Sequence, residues 1–140
     1  MKVRDSGPTK RSPPADAPTA TFEREGSWVV VRGRGIGRVA WLLQLLRDAA
    51  AATRAEPTRG LLIDLREFSA PLTDLDRYDV GMVGAEAGIA VPCAVILSTA
   101  MLDPRRLGET VARNRGVNAR GFSSLEEGRA WLAQQAPPDA

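Results

Sequence analysis

Residues 102–132, LDPRRLGETVARNRGVNARGFSSLEEGRAWL, constrain the fold more than any other stretch, because every boundary of a helix–strand–helix order is written in them. Asp103 is a strong N-cap, and Pro104 at the first helical position lacks only an N–H that has no helical partner there. Leu107, Val111 and Ala112 form a narrow apolar stripe. Glu109 stands four residues before Arg113, the spacing of a helix-surface ion pair. Gly116 suits the left-handed residue just past the helix end. Alternation then predicts a strand over 117–122. Ser123 and Ser124, with Glu126 and Glu127, supply two alternative capping boxes for the last helix. A helix, a short link, a strand and a helix imply a crossover unit, and hence an α/β fold. No catalytic motif lies in this stretch.

The preceding chain repeats the same order. Residues 22–31 read as the first strand, either continuous or as a hairpin broken at Gly26. Trp28, Val29, Val30 and Val31 are apolar on both faces, which places them centrally or under cover on both sides. A helix is predicted over 38–54, where Val39, Leu42, Leu43, Leu46, Ala49 and Ala50 follow the helical period. Residues 61–65 form a short strand, Pro71 ends the loop after it, and Thr73 with Asp76 at N3 can cap a helix. In that helix Leu75, Tyr78, Met82, Ala85 and Ile89 share one face, with Val80, Val83 and Ala87 roughly opposite. Gly81, Gly84 and Gly88 form a third strip. Three helical glycines cost on the order of 2–3 kcal/mol relative to alanine. That cost predicts close approach to a sheet, a second chain or a ligand. Apolar groups on two sides cannot both meet one sheet, which predicts a homodimer about a two-fold axis, or an apolar ligand, at this helix. Residues 92–98 form the next strand, again apolar on both faces. The expected architecture is a four- or five-stranded, mostly parallel sheet covered by helices, with the 117–122 strand at an edge and parallel to the 92–98 strand.

Composition bounds the function. The chain of 140 residues is long enough for one domain. Its Pro-rich residues 1–20 are expected to be a disordered leader, residues 21–136 the domain, and residues 137–140 a frayed end. There is no histidine, which removes Ser-His and Cys-His nucleophile pairs and imidazole metal ligands together. Cys93 is the single cysteine, so no intramolecular disulfide and no thiolate metal cluster can form. Net charge is only +2, too little for the basic face of a nucleic-acid binder. No apolar run reaches membrane-spanning length, so neither nucleic acid nor membrane insertion is expected. The polar N-terminus lacks the apolar core of a secretion signal, which makes the cytoplasm the expected location.

The candidate chemistry is sparse. Gly33-Arg34-Gly35-Ile36-Gly37 sits where a dinucleotide fingerprint would, but GxGxxG counted from Gly33 needs glycine where Arg38 stands. The stretch reads instead as a flexible turn. No GxxxxGK[ST] and no Ser-x-x-Lys occur. Parallel sheets bind ligands at the carboxyl ends of their strands, which here begin at Asp64 and Arg66 and at Ser98. If those strands are neighbours, Ser69, Thr73, Ser98 and Thr99 converge near two helix N-termini as a modest anion or partner site. The alternative makes all four ordinary caps and turn residues. Asp64 reads as a buried acid or as a turn-making acceptor. Arg113, Arg115 and Arg120 form a basic patch or, in the simpler reading, compensate a helix dipole.

GETVARNRGVNARGF and EEGRAWL, together with LLIDLREFSAPLTDLDRY over 61–78, resemble the small bacterial STAS/SEC14-type proteins described as similar to the sporulation anti-sigma-factor antagonist. About half the chain carries the resemblance. It implies a compact sheet covered by helices, no cofactor, no catalysis, and a binding or regulatory role through a protein partner. The alternative is a carrier of a small apolar or lipid-like ligand, held between the sheet and a mobile helix. In the antagonists a phosphorylated serine follows an aspartate in an Asp-Ser-Ser-Gly turn. This chain has Ser69-Ala70-Pro71-Leu72-Thr73-Asp74 there. Phosphate on Thr73 would add about −1.5 to −2 charges beside Asp74 and Asp76. Neither Ser69 nor Thr73 is therefore expected to be a phosphosite.

Overall fold

The computed structural model describes residues 17–138. Its elements in chain order are β1 (Thr19–Glu25), β2 (Trp28–Ile36), α1 (Val39–Ala55), β3 (Gly60–Ser69), α2 (Asp74–Glu86), β4 (Cys93–Leu97), α3 (Leu107–Asn114), β5 (Ala119–Phe122) and α4 (Leu125–Gln135). The strands lie in sequence order in one five-stranded sheet. β1 pairs antiparallel with β2, and the other three pairings are parallel. This is the expected α/β architecture, with β5 at an edge and parallel to β4.

The first strand is a hairpin rather than one continuous strand. Gly26 takes φ +60 between Glu25 and Trp28, a conformation glycine adopts without steric cost. β1 takes in Thr19 and Ala20, so order begins before residue 21. The rest of the expected leader, residues 1–16, lies outside the described residues, as do residues 139 and 140. At the other end, Trp28 Nε1 donates to the Ala136 carbonyl (2.6 Å) and the Ser27 N–H to the Pro138 carbonyl (2.7 Å).

The glycine-rich stretch from Gly33 to Ile36 belongs to β2 rather than to a turn, because β1 pairs with Gly33 and Arg34 and β3 with Arg34, Gly35 and Ile36. Gly33 is needed for space: a Cβ there would lie 2.8 Å from Leu65 Cδ2 and 3.2 Å from Trp41 Cη2. Trp41 in turn stacks on Phe68, ring centroids 5.0 Å apart.

β3 is twice the expected length, and its register against β2 shifts between the Arg32–Asp64 and Arg34–Glu67 pairs. The extra residue turns Arg66 and Glu67 outward in succession and returns Phe68 to the core. Helices α1, α2 and α3 cover one face, packing on Val29, Val31, Leu61, Ile63 and Leu65. α4 alone covers the other, where Leu132 meets Trp28, Val30, Leu62, Ala94 and Ile96.

α3 begins at Leu107, three residues later than Pro104 suggests. The Asp103 carboxylate accepts N–H bonds from Arg105 (3.1 Å) and Leu107 (3.0 Å). Its side chain thus closes a local turn in competition with the helix. Arg106 breaks the run at φ 53. Glu109 pairs with Arg106 and accepts the Gly121 N–H (2.8 and 2.7 Å), in place of the expected pairing with Arg113. Gly116 takes φ +93 past the helix end. Val117 N–H closes that end on the Ala112 carbonyl, so β5 starts at Ala119 rather than at Val117.

At Gly81 a Cβ would lie 2.5 Å from the Gly108 carbonyl oxygen and 2.7 Å from Val111 Cβ. Helix propensity alone favours Gly81→Ala by roughly 1 kcal/mol, and overpacking costs typically about 1–3 kcal/mol. The substitution is expected to lower the thermal unfolding midpoint. A raised midpoint by calorimetry would mean that α2 and α3 do not touch at this point.

Candidate functional site

The hydroxyls expected to converge fall into two groups. Leu65 of β3 pairs with Leu97 of β4, where β4 ends, and β3 continues to Ser69 beside Ile36 of β2. Ser69 therefore lies about three residues, on the order of 10 Å, beyond the level of Ser98. Ser69 and Thr73 flank the loop into α2. The Thr73 Oγ1 accepts the Asp76 N–H (3.0 Å) and the Asp76 carboxylate accepts the Thr73 N–H (2.9 Å), a complete capping box. Ser98 and Thr99 open a separate turn, in which the Ser98 carbonyl accepts N–H bonds from Met101 and Leu102 (both 3.0 Å).

Asp64 and Arg66 are not at a strand end. They lie within β3, on the face shared with Leu62 and beyond the cover of α4. Asp64 is 7% exposed. Its carboxylate accepts Arg66 Nε (2.9 Å), Arg66 Nη2 (2.8 Å) and the Arg66 backbone N–H (3.1 Å). Burial pushes the Asp64 pKa up, but the Arg66 bonds and the Arg66 and Arg32 charges outweigh it and hold the carboxyl below its ordinary value. Of the two sequence readings, the structure has the buried acid. Arg32–Glu23 (3.1 Å) and Arg34–Glu67 (3.6 Å) flank it. The result is a polar strip in which most charges are neutralised by a neighbour.

The Arg113–Arg120 cluster is dispersed. Arg113 Nη1 donates to the Ala119 carbonyl (3.2 Å), Arg115 lies over the Tyr78 ring and Arg120 over the Phe122 ring.

The three glycines have three surroundings. Gly81 abuts α3. Gly84 is buried, yet a Cβ there would meet nothing within 4 Å. Gly88 lies past the end of α2 at φ +83, where it terminates the helix. α2 packs against both α1 and α3, while Leu75 and Tyr78 on its first half stay exposed.

Gly84 looks into a feature the sequence did not reveal. An apolar cavity of about 140 Å³ lies between the sheet and α1, α2 and α3, walled by Leu42, Leu46, Leu65, Val95, Leu97 and Ile89 among others. Its polar lining includes Arg77, Asp103, Arg106 and Glu109. Cys93 also lines it, fully buried, with its thiol pKa pushed up to about 12 by desolvation, so the thiolate needed for nucleophilic chemistry does not form near neutral pH. Periodicity gave no signal for this space; the one trace was a glycine in mid-helix with no turn to make.

No family model matches the chain, and no curated protein matches it significantly. Among solved structures, an anti-sigma factor antagonist from Mycobacterium paratuberculosis matches at TM-score 0.57 and 15% identity, over 85% of this chain and 97% of that one. A DUF3478-family protein with a SpoIIAA-like fold from Shewanella loihica covers 87% and 98% respectively, at 18% identity and TM-score 0.49. The chain has the fold of the anti-sigma factor antagonist. The mostly parallel sheet covered by helices that the 61–78 and 103–132 motifs implied is thereby shown. Among the described residues, no helix is long and apolar enough to cross a membrane and no three acidic or thiol groups cluster as metal ligands.

Because the folded-state pKa of Asp64 is depressed, the stability it contributes is complete above the ordinary aspartate value, about 3.9. That contribution is lost as pH falls through the depressed value. Asp64→Asn is expected to cost about 1–3 kcal/mol at neutral pH, in urea unfolding. The gap from wild type should close progressively below about pH 4. A gap that widened on acidification would contradict the Asp64–Arg66 pairing.

Proposed function

We propose that this protein is a non-catalytic regulatory module that acts by binding a protein partner at the carboxyl end of its sheet. One observation carries the reading. Three of the four large apolar side chains exposed on the described surface border that end: Ile36 (56% exposed), Leu75 (67%) and Tyr78 (37%). Ile36 ends β2 and pairs with Ser69. Leu75 and Tyr78 stand one turn apart on the first half of α2, after the loop that Ser69 opens. The fourth, Phe22 (42%), lies mid-strand in β1. Single exposed apolar groups are ordinary, but three toward one end of the sheet, Ile36 on the α4 side and Leu75 and Tyr78 on α2, suit a partner that spans that end. The capping box fixes that loop, so the surface is preorganised.

Two further facts support binding over catalysis. The chain has no histidine, and near this end Thr73 and Asp76 serve in a capping box and Asp74 in an ion pair with Arg105. One structure of like fold is an anti-sigma factor antagonist. Ser69, Thr73 and the Asp74–Arg105 ion pair border the same surface and would contribute its polar rim. Cytoplasmic action follows from this reading.

A photo-crosslinking residue at position 75, in cells that make the protein, is expected to capture one defined protein. The same residue at Gln44, on the exposed face of α1, should capture none. Ile36→Asp, with the crosslinking residue kept at position 75, should abolish capture while leaving the unfolding free energy within about 0.5 kcal/mol of wild type. Equal capture at both positions, or capture insensitive to Ile36→Asp, would refute the surface.

Partner binding is also expected to be independent of phosphorylation at the loop. Thr73→Ala should cost about 1 kcal/mol through the lost cap and leave the crosslink intact. Stoichiometric phosphate on Ser69 or Thr73 of the native protein, seen by mass spectrometry, would replace this reading with a phosphoswitch.

A further inference from the structure

We infer that the cavity beneath α2 and α3 binds a small apolar carboxylate, with its body among the aliphatic side chains and its carboxylate at Arg77. The inference is independent of the partner surface. It begins with β4, a strand with neighbours on both sides. On its α4 face Ala94 and Ile96 are fully buried. On its other face Val95 and Leu97 are only half-buried, and both line the cavity. Apolar side chains on an interior parallel strand are ordinarily covered. Here the cover is missing over two of them.

The space cannot be closed by settling the helices. At Gly81 the backbones of α2 and α3 are already in contact through Gly108, so α2 comes no nearer to α3. One turn further on, Gly84 is buried with nothing within 4 Å of its missing Cβ. A glycine that makes no turn and no close contact weakens its helix and leaves room unfilled. An apolar occupant accounts for both.

The dimensions limit what fits. An apolar cavity of about 150 Å³ accommodates benzene, so about 140 Å³ takes one ring or a short alkyl chain. The polar lining selects the head group. The Asp103 carboxylate accepts two backbone N–H bonds, and the Glu109 carboxylate is held by Arg106 and the Gly121 N–H. Arg77 donates one bond, to the Met101 carbonyl (3.2 Å). Among the described residues no carboxylate lies within 4.0 Å of it in an ion pair. Arg120 also lines the space, with its guanidinium over the Phe122 ring, so the donor capacity left over beside the α2 wall is the Arg77 guanidinium N–H, whose planar fork matches a carboxylate. An ammonium ligand would face the same cation and be disfavoured.

The test titrates the full chain with benzoate and with hexanoate, using hexanol and hexylamine as neutral and cationic controls. Binding is read by Val95 and Leu97 methyl resonances and by the thermal midpoint. At least one carboxylate is expected to shift those methyls saturably and raise the midpoint, with hexanol at least tenfold weaker and hexylamine inert. Gly84→Leu should fill the space and remove the response, and Gly84→Ala, a smaller change that keeps the fold, should weaken it. Arg77→Gln should weaken the carboxylate at least tenfold while hexanol is unaffected. Absence of a saturable shift at Val95 and Leu97 with both acids would overturn the site, as would an undiminished response in Gly84→Leu. Hexanol binding as tightly as hexanoate would overturn the assignment of Arg77. None of these outcomes alters crosslinking from position 75, so the two readings fail separately.

Discussion

At Gly81 and Gly108 the backbones of α2 and α3 meet with no side chain between them, and the helical layer is arranged around that contact. The contact sets the spacing of the two helices and fixes the height at which α2 crosses the sheet. Beyond it, where Gly84 offers no side chain either, a space remains over Val95 and Leu97. Two glycines three residues apart thus have opposite consequences. One closes a helix pair, and the other leaves a cavity beside it.

The same layer protects the sheet's edge. β5 has no strand beyond it, and its outward N–H and C=O groups would template pairing with another chain. Side chains of α3 and the turn before it occupy them. Glu109 accepts the Gly121 N–H, Arg106 donates to the Gly121 carbonyl, and Arg113 donates to the Ala119 carbonyl. The delayed start of α3 belongs to this arrangement, since Arg106 at its left-handed position supplies one of those donors. Helix, turn and edge strand are therefore one cooperative unit, and the motif at 102–132 is informative for that reason.

The two faces of the sheet have separate tasks. Three helices cover one face and leave the apolar cavity. α4 covers only part of the other, and beyond it the extra residue in β3 brings Arg66 and Glu67 out together beside Asp64. Charge on that strip is largely internally paired, which leaves the apolar groups at the carboxyl end, Ile36, Leu75 and Tyr78, as the surface with unspent free energy of burial.

Local chemistry in the sequence was enough for the order of elements, the parallel pairing of β4 and β5, the Thr73 capping box and the left-handed Gly116, because each depends on periodicity or on residues a few positions apart. The glycine-rich end of β2 was not legible. Glycine permits a turn, and only the presence of β1 and β3 on either side makes that stretch a strand. Of the candidate site, the residues at the loop into α2 were recognised, but Asp64 and Arg66 were placed at a strand end they do not occupy, because the length of β3 and its bulge are set by pairing with β2. The glycine strip of α2 left sheet, second chain and ligand all open as its neighbour. A missing Cβ says nothing about what stands opposite it. Whether a glycine admits a neighbouring helix, as Gly81 does, or leaves room for a ligand, as Gly84 does, is decided only when elements distant in sequence are packed together.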